Sequence, residues 1–119
     1  MINKFETLDA WKESHKLVLM IYKEENYRLT DQICRSASSI AANLVEGSSR
    51  NTKKEYRQFA YQARASLEEA KYHLLLAKDL GYINESLYNK IMNQANITGK
   101  LINGLINYLG SRIQEQITK

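Results

Sequence analysis

Two histidines (His15, His73) and one cysteine (Cys34) are the residues to test first for metal or nucleophilic chemistry. A bundle that holds a di-iron centre needs Glu-x-x-His on two helices, because a three-residue step aims both ligands inward. The residue three before His73 is Ala70, and the one three before His15 is Lys12. The di-metal reading therefore fails. A helical RNA-cleaving site places an Arg about a turn to a turn and a half ahead of a His, and no Arg precedes either histidine at that distance. Cys34 sits beside the apolar Ile33, far in sequence from both histidines, so it lacks the base that would activate a thiol. The segment Glu46-Gly47-Ser-Ser-Arg50 has one glycine and no Lys-Ser ending, which excludes a phosphate loop. No catalytic residue, metal ligand or cofactor site emerges, and the chain is expected not to be an enzyme.

The polar pattern that points to a partner is a row of cations. Arg57, Arg64, Lys71 and Lys78 stand seven residues apart, with Arg50 continuing the series upstream and Lys53 and Lys54 thickening its start. In a bundle helix, sevenfold spacing keeps side chains on one line. Between Arg50 and Arg64 five cations meet one acid, Glu55, and Tyr61 lies on the strip between Arg57 and Arg64. Cations with an intervening aromatic suit phosphates and a stacked base. The same line runs about a quarter turn from the helix's apolar seam, where long cations also cover the core edge and pair with acids such as Glu68. A cationic first turn opposes the helix dipole, which makes Lys53 and Lys54 locally unfavourable. The expected nucleic-acid contacts are Arg50, Lys53, Lys54, Arg57, Tyr61 and Arg64.

Four helices must position these residues. Thr7 can cap a first helix, with Asp9 in its first turn and Leu8, Trp11, His15, Val18 and Tyr22 on one face. The polar run 23–28 reads as the first connection. A second helix is built on Leu29, Ile33, Ala37, Ile40 and Leu44, small enough between Ala37 and Ala42 for close approach to a neighbour. It is expected to end near Glu46-Gly47-Ser-Ser-Arg50, since glycine readily adopts the left-handed geometry that closes a helix. Thr52 and Glu55 have capping-box spacing, and Tyr56, Ala60, Ala63, Leu67, Ala70, Leu74 and Ala77 then alternate by four and three as far as Gly81. Asn84 can cap a fourth helix carrying Leu87, Ile91, Ile97, Leu101, Ile102, Leu105, Ile106, Leu109, Ile113 and Ile117. That apolar surface is broader than one seam requires and suggests contact with another subunit.

The 119 residues contain no proline and only five glycines, and they carry a formal charge of +4. Length suits one domain over residues 1–119, and short connections favour an all-α, antiparallel up-down-up-down four-helix bundle. A lone cysteine excludes an internal disulfide, no stretch approaches the ~20 apolar residues of a membrane span, and the opening residues lack the apolar centre of a signal peptide. A cytoplasmic location is expected.

The segment Asp31-Gln-Ile-Cys-Arg-Ser-Ala-Ser-Ser-Ile-Ala-Ala-Asn-Leu-Val-Glu-Gly47 resembles the central signature of the four-helix bundle proteins encoded in intervening sequences of bacterial 23S ribosomal RNA genes, which is shared with the accessory variability determinant of diversity-generating retroelements. Phe5 to Trp11, Ala65 to Glu69 and Ala77 to Ile83 extend the likeness over nearly the whole chain. The family's prolines, in the first connection and just before the Ala-Asn of the signature, are absent, and Ala41 stands at the second of these places. The resemblance implies a basic homopentamer. In the retroelement branch it implies a scaffold for nucleic acid and a reverse transcriptase; Asn43, Glu46 and Gly47 match the signature that both branches share. Two functions follow as expectations: a homo-oligomeric nucleic-acid-binding accessory protein, or an assembly module with no nucleic-acid affinity.

Overall fold

The computed structural model describes residues 8–22 and 30–118. The expected cap at Thr7, the connection at 23–28 and Leu29 lie outside the described residues, as do the side chains of Tyr22 and Ile117. The helices are α1 (Asp9–Tyr22), α2 (Thr30–Ser48), α3 (Lys53–Asp79) and α4 (Glu85–Thr118), and no strand occurs among the described residues. Each helix packs against its neighbours in sequence, and α1 closes on α4, which makes an antiparallel up-down bundle. It is rod-shaped, 55 × 30 × 19 Å. Its long axis matches α4, whose 34 residues span ~51 Å at ~1.5 Å per residue.

The core strip of α3 is the one its spacing predicts. Ala60, Ala63, Leu67, Ala70, Leu74 and Ala77 are buried, with Tyr56 half-buried at the start. Opposite them α2 buries Ile33, Ala37, Ile40 and Leu44. Alanine on one helix and small residues on the other let the two backbones approach, and the hydroxyls of Ser39 and Ser66 meet across the seam at 2.9 Å. The caps of α3 also form where they are expected. Thr52 Oγ1 accepts from the Glu55 amide at 3.1 Å. At the far end Gly81 takes φ +79°, while the amides of Gly81 and Tyr82 bond back to Lys78 and Ala77. That is a Schellman closure, which only a residue without a Cβ enters cheaply. Asn84 Oδ1 caps α4 by accepting from Leu87 N at 2.7 Å.

Two expectations need correction. The buried face of α1 is Ala10, Ser14, Leu17 and Ile21, one position round from the predicted stripe. Leu8, Trp11 and Val18 flank it, and His15 is exposed, stacked on Trp11 with ring centroids 4.9 Å apart. Bulky residues drew the stripe, but the small Ala10 and Ser14 fit against the bundle, and the Ser14 hydroxyl is satisfied by the Ala10 carbonyl at 2.7 Å. Second, Gly47 is not a left-handed terminator. It lies inside α2, buried, and a β-carbon built on it would stand 2.8 Å from Tyr56 Cδ1 and 2.9 Å from Phe59 Cβ. Its role is to admit the first turns of α3. On α4, which faces both α1 and α3, much of the broad apolar surface is used within the bundle. Ile91, Ile102, Ile106 and Leu109 are buried, Leu101 and Leu105 are half-buried, and Ile97 remains exposed.

Polar tethers add to the packing. The Gln94 amide donates to the carbonyl and the carboxylate of Glu13, joining α4 to α1. That bond first, and Lys16 after it, holds the Glu13 carboxyl below its ordinary range. A depressed carboxylate stabilises the fold above the ordinary carboxylate pKa, and this contribution disappears as pH falls through the lowered value.

Two helical glycines, Gly104 inside α4 and Gly47 in the last turn of α2, should respond oppositely to alanine. Gly104 has open space around its missing β-carbon, so Gly104→Ala should gain roughly 0.5–1 kcal/mol in helix propensity and raise Tm by a few degrees. Gly47→Ala should lower Tm, because Tyr56 and Phe59 must move. Thermal melts of both variants followed by circular dichroism check this, and a stabilised Gly47→Ala would refute the close approach.

Candidate nucleic-acid interface

The cations of α3 lie a quarter turn from its core strip and lean toward α4. Arg57 is the most deeply held: its Nε donates to the Ile106 carbonyl at 3.0 Å, and its guanidinium fills the space over Gly110, where a β-carbon would stand 2.5 Å from Nη2. Gly110 is therefore a seat for Arg57. Arg64, one heptad on, is exposed and donates from Nη1 to Asn103 Oδ1 at 3.2 Å. Tyr61 lies between the two, with guanidinium carbons 5.3 Å (Arg57) and 4.9 Å (Arg64) from its ring centroid. The strip Arg57–Tyr61–Arg64 is thus one cation–aromatic unit, as the spacing predicts.

The remaining predicted residues separate into two groups. Arg50 pairs with Glu46 and covers the Phe59 ring at 4.6 Å, so it is engaged at the α2–α3 turn. Lys53 and Lys54 are exposed on the first turn of α3 and make no ion pair among the described residues. Further along, Lys71 reaches Glu68 at 3.5 Å, and Lys78 lies 3.8 Å from Asp79 and 4.6 Å from the Tyr88 ring centroid. The two readings of the cation row hold at different places along it. Arg57 and Lys78 cover the core edge, whereas Lys53, Lys54 and Arg64 keep their charge at the surface. Asn43, from the signature, donates to the Ser39 carbonyl at 2.8 Å within α2, which is a structural role.

Two features escape the sequence reading. Between α3 and α4 runs an open groove, with Arg64, Glu68 and Lys71 on one bank, Asn96, Lys100 and Asn103 on the other, and Leu67 with Gly99 at its floor. Its α4 bank continues a line of exposed asparagines: Asn89, Asn93, Asn96, Asn103 and Asn107, with Lys100 among them. Their steps of four and three were the available signal, hidden because apolar periodicity dominated the view of α4. The second feature is an apolar patch on the outer face of α3, where Tyr72, Leu75, Leu76 and Leu80 are exposed. Among the described residues no cluster of three or more His, Cys, Asp or Glu could hold a metal, and no described helix is long and apolar enough to cross a membrane.

Four amphipathic helices closed into an up-down bundle, with cations along the third and amides along the fourth, define a small all-α bundle protein whose polar surface is built on one helix pair. Residues 6–104 match the family model of the 23S rRNA-intervening sequence protein, and the chain belongs to that family. It is similar to a crystal structure of a protein of unknown function from the S23 ribosomal protein family of Bacteroides thetaiotaomicron, at 23% identity and a TM-score of 0.74, covering 82% of this chain and 97% of the other. That likeness supports the fold. No curated protein matches the sequence.

The geometry separates two arginines that look equivalent in sequence. Arg57→Ala should destabilise the bundle by about 1–2 kcal/mol, through a lost charged hydrogen bond and lost packing over Gly110. Arg57→Lys should not recover this, since an ammonium on a flexible stem cannot reproduce the guanidinium's geometry. Arg64→Ala should stay within about 0.5 kcal/mol of the parent. Urea denaturation measures all three, and equal losses at Arg57 and Arg64 would contradict the distinction.

Proposed function

We propose that this member of the 23S rRNA-intervening sequence protein family is a non-enzymatic, homo-oligomeric accessory protein that binds nucleic acid through the cationic edge of α3. The observation that carries the reading is the local excess of charge. Lys53, Lys54 and Arg64 are exposed, Arg64 as a member of the cation–aromatic unit with Arg57 and Tyr61, and Glu55 is the one acid between Lys53 and Arg64. Arg57 supports the surface from beneath as much as it faces a ligand. Five-fold assembly, a cytoplasmic location and a reverse transcriptase of a diversity-generating retroelement as partner belong to the same reading. Assembly and partner are supported by the resemblance of the 31–47 signature, and the location by the single cysteine, which suits a reducing compartment. One copy offers a short strip of cations, and several copies would multiply its grip on a polyanion.

A second reading, an assembly module without nucleic-acid affinity, is favoured by the exposed Tyr72, Leu75, Leu76 and Leu80, a cluster suited to burial under another protein surface.

Fluorescence anisotropy with labelled RNA and DNA across a salt series separates the two. Under the first reading log K falls linearly with log salt, and the variant Lys53→Ala/Lys54→Ala/Arg64→Ala loses slope by about 0.7–0.9 for each phosphate contact removed, at nearly uniform cost across sequences. A parent chain that binds neither polymer at low salt leaves the assembly reading standing. Light scattering reports whether five copies of the 13.8 kDa chain assemble.

A further inference from the structure

The solvent face of α4 is built from the wrong residues for a plain solvated surface. Asn89, Asn93, Asn96, Lys100, Asn103 and Asn107 follow one another at steps of four, three, four, three and four, all exposed. Such steps keep side chains on one line along a helix. Exposed positions of a long helix are best filled by Glu, Lys, Arg or Gln, whereas asparagine competes with its own backbone for hydrogen bonds and lowers helicity. The row also contains no acid, so the cations opposite it are not neutralised from α4.

A carboxamide offers two donors and an acceptor without a charge. It can be desolvated against another polar edge at far lower cost than an ionised group. Across the groove stand Arg64, Glu68 and Lys71, with Lys71 3.5 Å from Glu68, and Lys100 lies within the row of amides. Arg64 already donates to Asn103, so the two banks lie within reach of each other, and Gly99 keeps the floor low beside Leu67. One bank suits phosphates and the other suits base edges, which asparagine reads through paired hydrogen bonds.

The form of the polymer follows from size. Two packed helices whose axes are ~8–10 Å apart, each ~10 Å across, are too wide to enter a major groove of ~12 Å. A duplex can admit one helix but not the pair, so its major groove cannot take both banks of this groove at once. A single strand can lie along the groove with its backbone toward α3 and its bases toward α4. We infer that the α3/α4 groove is a track for single-stranded nucleic acid, with Arg64 and Lys71 on the α3 bank holding phosphates and the asparagine row of α4 holding base edges. This rests on the nucleic-acid reading above and narrows it to a strand form and a place.

The test compares the full chain with Asn93→Ala/Asn96→Ala/Asn103→Ala and, separately, with Lys53→Ala/Lys54→Ala. Probes are a labelled mixed-sequence single-stranded RNA, its DNA counterpart, and each strand annealed to its complement. The parent should prefer single strands by about tenfold or more, and the asparagine variant should lose about tenfold in single-strand affinity, within the range that base contacts contribute. Its salt slope should be unchanged, because no charge has been removed. Its thermal midpoint should be equal or higher, since alanine is the better helix former, so lost binding cannot be lost folding. Unchanged single-strand affinity in the asparagine variant, with a loss in the lysine variant, would overturn the track and leave the nucleic-acid reading intact. Equal parent affinity for strand and duplex would also overturn it. A changed oligomeric mass without a change in RNA affinity would reassign the row to contact between copies. Absence of binding to every probe would remove both readings.

Discussion

The close approach of α2 and α3 is the constraint on which the rest depends. Alanines at Ala60, Ala63, Ala70 and Ala77 on α3 meet Ala37 and its small neighbours on α2, and Gly47 yields to Tyr56 and Phe59. Alanine side chains bury little apolar area, so such a seam is held by intimate backbone approach and dispersion, with Leu67, Leu74, Ile40 and Leu44 supplying the larger apolar contributions. Fixing α3 against α2 fixes its rotation. Rotation then decides that the row a quarter turn away, from Arg57 to Lys78, must lie along α4.

That placement gives the cations two tasks at once. A guanidinium beside a neighbouring helix can stay half-solvated while its stem covers apolar surface. Arg57 goes furthest, bonding the Ile106 carbonyl in the space Gly110 leaves open, and Lys78 covers Tyr88. Arg64 is exposed, and Lys71, half-buried beside Glu68, borders the open groove. A row uniform in sequence is therefore graded in the fold, from anchored to available. The grading follows from what α4 presents at each level: a glycine, an asparagine, the open groove, an aromatic ring.

Buried polarity is handled locally. Ser14, Ser36 and Thr98 each donate to the carbonyl one turn back, and no buried side-chain nitrogen or oxygen among the described residues lacks a partner. The bundle can therefore hold hydroxyls in its interior without a water network, and its polar chemistry is concentrated on the surface between α3 and α4. Membership of the 23S rRNA-intervening sequence protein family agrees with the bundle, and the neighbouring structure, similar at a TM-score of 0.74, shares its architecture.

Helix number, the α3 core strip, its Thr52 and Gly81 ends and the Asn84 cap were all legible in the residues, because each depends on interactions within a few positions of chain. The 31–47 signature and the cation row were legible for the same reason. What the residues alone could not decide was which side of a helix a neighbour would cover. On α1 the small Ala10 and Ser14 went inside and His15 stayed out, since burial there depends on how closely another helix can come. Gly47 looked like a terminator in the chain, and only the position of Tyr56 and Phe59 shows that it is a contact. The division of labour between Arg57 and Arg64, and the asparagine bank facing them, likewise exist only after α3 and α4 are packed, because sequence distance carries no information about which side chains meet across a groove.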